Sequence, residues 1–149
     1  MLSAMAKPPV TTTVHHLVDK RFVGINPQGL RVSIDGEPEA RTGMGPMDLL
    51  LNAVGACAAY DLVEMLKKRK LEILDYRVEL TGERFDGTPA YYTKIHAEHH
   101  INVPGLDERT AMRFVGLAMT KYCSVASSLK AEMSYGVVLH HDADASQEA

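Results

Sequence analysis

The segment from Pro46 to Arg69 constrains the fold more than any other. From Met47 to Tyr60 it is apolar almost all the way round, interrupted only by Asp48 and Asn52, and it runs into Lys67-Lys68-Arg69-Lys70. Gly45 can cap a helix. Pro46 suits the first helical position because its missing N–H would be unpaired there, and Asp48 faces the positive end of the helix dipole. A helix is therefore expected from Pro46 to about Arg69. A stretch with so little polar surface has to be covered, so its first half is expected at the centre of the molecule and its basic end in water. Cations at a helix C-terminus complement the dipole, which accounts for the Lys/Arg run without an anionic partner.

Around this helix the other elements read as strands first and a second helix later. Thr11 to Val18, Phe22 to Ile25 and Leu30 to Ile34 are separated by turn-forming residues, notably Asn26-Pro27-Gln28-Gly29 and Asp35-Gly36, and form a small antiparallel meander. Tyr76, Val78 and Leu80 alternate with polar neighbours. So do Tyr91 to Ile101, with Asp86-Gly87-Thr88-Pro89 as the hairpin turn between the two runs. Ala111, Val115, Ala118, Tyr122, Cys123, Ala126 and Leu129 recur at helical spacing, placing a second helix from Asp107 to Lys130, and Ser134 to His140 reads as a last strand. The order βββ-α-ββ-α-β argues for the α+β class over a doubly wound sheet.

The 149 residues show no linker, repeat or low-complexity block, so residues 1–149 read as one domain with frayed ends at about 1–10 and 142–149. A chain of this size buries roughly 70% of its unfolded surface, so its two cysteines are not needed as a staple. The opening residues lack a signal-like apolar stretch and no long uninterrupted apolar run follows, which points to a cytoplasmic protein that does not use a membrane. Sixteen Lys plus Arg against nineteen acids, a net charge of −3, leave no footprint for nucleic acid. The adjacent His pairs at 15–16, 99–100 and 140–141 point to opposite faces of strands, and no zinc-type spacing accompanies them. No metal and no cofactor are expected.

Cys57 and Cys123 fall on different helices, each within small residues: Gly55-Ala56-Cys57-Ala58-Ala59 on one, Cys123-Ser124-Val125-Ala126-Ser127-Ser128 on the other. Small side chains let helices approach closely, and a crossing at these patches would bring the thiols together. A disulfide needs Cα atoms about 4.4–6.8 Å apart, within reach of closely packed helices. The alternative is that each is a small buried hydrophobe, as free Cys usually is. Cys57 lies about 16 Å from the start of its helix, too far for the dipole to lower its pKa, and Asp61 one turn on would raise it. Activation would have to come from a cation delivered from elsewhere, with Lys20, Arg21, Arg41 and Arg84 as candidates.

The segment Gly45-Pro46-Met47-Asp48-Leu49-Leu50-Leu51-Asn52-Ala53-Val54-Gly55-Ala56-Cys57, with Asp61 after it, resembles the first cysteine helix of the OsmC/Ohr family. Lys121-Tyr122-Cys123-Ser124-Val125-Ala126 resembles its second cysteine motif in the YhfA-like branch, as does Leu80-Thr81-Gly82-Glu83-Arg84. The resemblance spans most of residues 14–139. It implies antiparallel sheets wrapped around long central helices in an intertwined homodimer, with sites at the subunit interface. It also implies a thiol-dependent peroxidase, in which Cys57 attacks an organic hydroperoxide, Cys123 resolves the sulfenic acid as a disulfide, and an external dithiol reduces it.

Two positions depart from the Ohr pattern. Met47 stands where that branch has a Glu holding an Arg against the thiolate, with Asp48 displaced by one, and Ser124 stands where a Pro often follows the second Cys. The family's Arg comes from the N-terminal hairpin, where a rough alignment by the Gln28-Gly29 turn points to Lys20 or Arg21, with Arg21 carried over, and Asp48 or Asp61 would orient such a cation. Met44, Met47, Asp61 and Tyr122, on or beside the two motifs, are the expected pocket residues, with apolar walls suited to an organic substrate. The alternative function is a binding protein on the same scaffold, holding a small apolar ligand while its cysteines pack or sense oxidation.

Overall fold

The computed structural model describes residues 6–141; of the expected frayed ends at about 1–10 and 142–149, residues 1–5 and 142–149 lie outside the described residues, and 6–10 are exposed and in neither helix nor strand. The chain divides into two compact units, Met1–Leu49 and Leu50–Ala149, which are described separately.

The first unit is the expected meander. Strands β1 (Thr13–Val18), β2 (Arg21–Ile25) and β3 (Arg31–Asp35) pair antiparallel in that order. The turn after β2 is built by Asn26, whose side-chain oxygen accepts the N–H groups of Gln28 and Leu30, while Gly29 takes a positive φ of 80°. In the paired register Val14, Gly24 and Val32 stand side by side. They floor a groove of about 400 Å³ whose walls include Ile25, Leu30 and Ile34. Val14 at 62% and Leu30 at 68% exposure leave this apolar surface open.

Helix α1 (Pro46–Lys68) crosses from the first unit into the second. Its start matches expectation: the Gly45 carbonyl accepts the Leu49 N–H, and Asp48 lies in the first turn. Its end is set by Lys70 at a φ of 57°. There Leu71 N–H reaches back to the Leu66 carbonyl and Lys70 N–H to that of Lys67, the paired bonds of a Schellman stop. Burial is narrower than the sequence implies. Val54, Gly55, Ala58, Leu62 and Leu66 form one covered stripe, while Tyr60 is 77% exposed. One chain therefore covers only part of this apolar helix. By length and composition α1 could cross a membrane, a test that core helices of soluble proteins also pass.

The second unit is a mixed sheet with helices on one face. Strands β4 (Asp75–Arg84) and β5 (Tyr92–Asn102) form the expected hairpin, and β6 (Glu132–Leu139) joins β5 in parallel. Ile95, Ala97, His99 and Ile101 point inward and are fully buried. Two glycines allow close approach here. A Cβ on Gly55 would lie 2.6 Å from Leu80 Cδ2, and one on Gly82 would lie 2.6 Å from a ring carbon of Tyr92.

The predicted helix from Asp107 to Lys130 is not continuous. Asp107 does cap it, its carboxylate accepting the Thr110 N–H, but regular α-helix (α2) covers only Glu108–Leu117. Ala118–Tyr122 form a π-turn, Cys123 is extended at φ −68° and ψ 102°, and Ser124–Ser127 form the short helix α3. The apolar spacing persists across the break because each short piece still buries one side: Ala118, Cys123 and Ala126 all face inward.

Candidate functional site

The two cysteines meet. Cys57 sits half-buried in the middle of α1, Cys123 is wholly buried, and both are free thiols. The extra residue of the π-turn ends in the bond from Cys123 N–H to the Ala118 carbonyl, which turns the side chain inward. There the sulfur accepts the Ala126 N–H at 3.3 Å, so Cys123 is the N-cap of α3, and its S–H is directed at the Val54 carbonyl at 3.8 Å. Its thiol also interacts with that of Cys57. Burial pushes the Cys123 thiol up from its ordinary value. The Ala126 amide opposes that shift and the neighbouring Cys57 adds to it.

The remaining expected site residues are more dispersed. Asp61 is half-buried one turn after Cys57, and Tyr122 is exposed with Lys121 Nζ 5.4 Å from its ring centre. In the first unit, Met44 is exposed and makes an isolated parallel bridge with Ile34, while Met47 is half-buried at the start of α1. Arg21 is committed to Asp35: its Nε donates to the Asp35 carboxylate at 3.1 Å and its Nη2 to the Ala40 carbonyl. Asp35 also accepts from Glu37 N–H, Thr42 N–H and the Thr42 hydroxyl, and these bonds hold its carboxyl well below the usual range. Asp48 lies 3.8 Å from Arg41 Nη1. At 100° per residue, Asp48 and Cys57, nine positions apart, point to opposite sides of α1. Among the described residues of the second unit, no Arg or Lys hydrogen-bonds to either sulfur.

A groove of about 210 Å³ runs between α1 and β4, lined by Asn52, Gly55, Ala56 and Ala59 against Tyr76, Val78 and Leu80. Helical geometry places this row on the side of α1 away from Cys57, so groove and thiols occupy different faces. Beside it is a buried pair that pattern reading missed. Tyr76 hydroxyl and His99 Nδ1 are 2.6 Å apart, and burial pushes His99 down to about 4 while raising Tyr76. The signal was available only in the register, which sets Tyr76 and His99 diagonally across β4 and β5. Among the described residues no group of three or more His, Cys, Asp or Glu is arranged to hold a metal ion.

The site is thus a buried free thiol beside a half-buried one in an α+β chain. The chain belongs to the OsmC-like protein family, whose model matches residues 35–137. It is 33% identical over 109 residues to Protein YhfA of Escherichia coli (strain K12), covering 73% of this chain and 81% of that protein. The fold matches a crystal structure of an OsmC-like protein from Mycoplasma pneumoniae with a TM-score of 0.78 and 19% identity, covering 91% of this chain and 100% of that one. An organic hydroperoxide resistance protein from Legionella pneumophila matches with a TM-score of 0.64 at 15% identity, covering 89% of this chain and 98% of that one. The two small sheets and helices are those of OsmC-like structures.

Proposed function

We propose that this protein is a thiol-dependent peroxidase that reduces organic hydroperoxides, acting as a homodimer in the cytoplasm. The observation that carries the reading is the contact between two free thiols of unequal exposure. Cys57 thiolate attacks the terminal oxygen of ROOH, breaking the O–O bond to give Cys57 sulfenic acid, and the departing alkoxide takes up a proton as ROH. Cys123 thiol then displaces hydroxide from that sulfur, forming the disulfide and water, and an external dithiol returns both residues to thiols. Family membership supports this reading, as does the name of the Legionella relative. Arg21 and Asp48 enter it as activating cation and orienting acid, and Met44, Met47, Asp61 and Tyr122 as pocket lining, on family resemblance alone.

The homodimer is supported by surface that one chain leaves open: the uncovered apolar side of α1 and the groove over Val14, Gly24 and Val32. Both units belong, in this reading, to one OsmC-like domain spanning residues 1–149. A second reading, an apolar-ligand binder or redox sensor, is favoured by the lack, among the described residues of the second unit, of a cation on either sulfur.

Consumption of cumene hydroperoxide with dithiothreitol, measured on wild type, Cys57→Ser and Cys123→Ser, separates the two. The enzyme reading expects turnover in wild type, none in Cys57→Ser, and a dimedone-reactive Cys57 in Cys123→Ser. No consumption by wild type would sink it in favour of the binder.

A further inference from the structure

The two sulfurs are not equivalent as targets. A thiolate opens a disulfide by attacking one sulfur in line with the S–S bond and driving the electron pair onto the other. The attacked sulfur must be reachable, and the departing one gains from a donor to receive its charge. Cys57 is the half-exposed member of the pair, while Cys123 has no exposed surface. Cys123 also carries the donor, since its sulfur already accepts the Ala126 N–H at 3.3 Å, and its S–H points at the Val54 carbonyl. Attack from solvent on Cys57, with Cys123 departing toward the Ala126 amide, meets both demands. Attack on Cys123 fails the first demand outright, because its sulfur has no exposed surface.

We propose that the external reductant opens the Cys57–Cys123 disulfide at Cys57, forming its mixed disulfide there and expelling Cys123 as the leaving thiolate. This rests on the two-cysteine reading above and adds the direction of its reductive half. One thiolate of a dithiol bonds to Cys57 Sγ, the S–S bond breaks, and its electron pair leaves on Cys123 Sγ. Burial makes that anion costly, so it takes the proton of the reductant's second thiol. The second sulfur, now a thiolate, closes on the first, releasing Cys57 thiolate and a cyclic disulfide. Two electrons pass from dithiol to protein, and the proton ends on Cys123.

The test starts from protein oxidised with diamide, so it does not depend on hydroperoxide turnover. The intramolecular disulfide is first verified as a two-proton mass loss. Cysteamine, a monothiol that cannot cyclise, is added briefly, the reaction is acid-quenched, and free thiols are blocked with N-ethylmaleimide. Trypsin separates the cysteines into peptides 42–67 and 122–130. The expected result is cysteamine on the first and maleimide on the second, in excess of about tenfold over the reverse pattern. Equal labelling, the reverse pattern, or failure of diamide to form the disulfide would overturn the proposal. As a second measure, Cys57 in Cys123→Ser should form a mixed disulfide with cystamine faster than Cys123 in Cys57→Ser, and equal rates would count against it. Loss of hydroperoxide consumption with the labelling pattern intact would remove the peroxidase reading and leave the direction of opening standing.

Discussion

The sulfur of Cys123 lies 3.8 Å from the carbonyl oxygen of Val54, three residues before Cys57 on α1, and takes the Ala126 N–H from its other side. It therefore serves as a helix cap as well as a thiol, and the two roles can be separated. Serine can accept from Ala126 and donate to Val54, whereas alanine can do neither. Cys123→Ala should be less stable than Cys123→Ser by about 1 kcal/mol, the usual worth of an N-cap, measured by urea unfolding. Equal stability would show that the cap contributes nothing.

The His99 imidazole gives stability a pH dependence. Its pKa in the fold is about 4, below the ordinary 6.5, because burial disfavours the cation. Between those values the unfolded chain binds more protons than the folded one, so stability falls as pH is lowered from about 6.5 toward 4 and is unaffected by this group above 6.5. The slope should approach about 1.4 kcal/mol per pH unit in that window. His99→Gln, which keeps a partner for the Tyr76 hydroxyl, should flatten the difference curve there, and an unchanged curve would assign the dependence to other groups.

In the first unit, Arg21 and Asp35 make the opposite kind of pair. The Asp35 carboxylate is held ionised by the N–H groups of Thr42 and Glu37 and by Arg21. Its folded pKa is depressed, so its stabilising effect is present above the ordinary aspartate value and is lost as pH falls below about 4. Arg21→Ala should shift acid unfolding to higher pH, followed by circular dichroism. The same variant assayed for hydroperoxide consumption tests the catalytic assignment of Arg21, since a purely structural residue leaves kcat unchanged in the protein that remains folded.

Gly82 sits beneath the Tyr92 ring, where an added Cβ would meet a ring carbon at 2.6 Å and Leu51 Cδ2 at 3.2 Å. A buried ring cannot swing aside as a flexible chain end can. Gly82→Ala should cost about 1–3 kcal/mol, the usual range for overpacking, and thermal unfolding reads it directly. Gly136→Ala, by contrast, first meets the end of the Glu98 side chain, which can shift, and should cost less.

The parts of this fold legible in advance were those with a one-dimensional signature. Apolar continuity marked α1 and alternation marked β4 and β5, while the small residues around both cysteines left open whether the thiols meet or only pack. The break at Cys123 left no such trace: a π-turn adds a residue to one turn without disturbing which side chains are apolar, so the pattern still reads as one long helix. The parallel pairing of β6 with β5 was equally hidden, because alternation does not reveal strand direction. The partner of Arg21 was hidden for a related reason, since Asp35 is set against it only by the register of β2 with β3.

That parallel pairing also sets Cys123 on a long return path. Parallel neighbours cannot be joined by a tight turn. The chain leaves β5, travels through α2, the π-turn and α3, and returns to lay β6 beside it. Cys123 lies on this return path, 66 positions from Cys57. In a chain still emerging or still open, bringing the pair together means closing that long loop against its entropy. A bond between the pair would keep that loop closed even in the unfolded chain, restricting the oxidised protein where the reduced one is free.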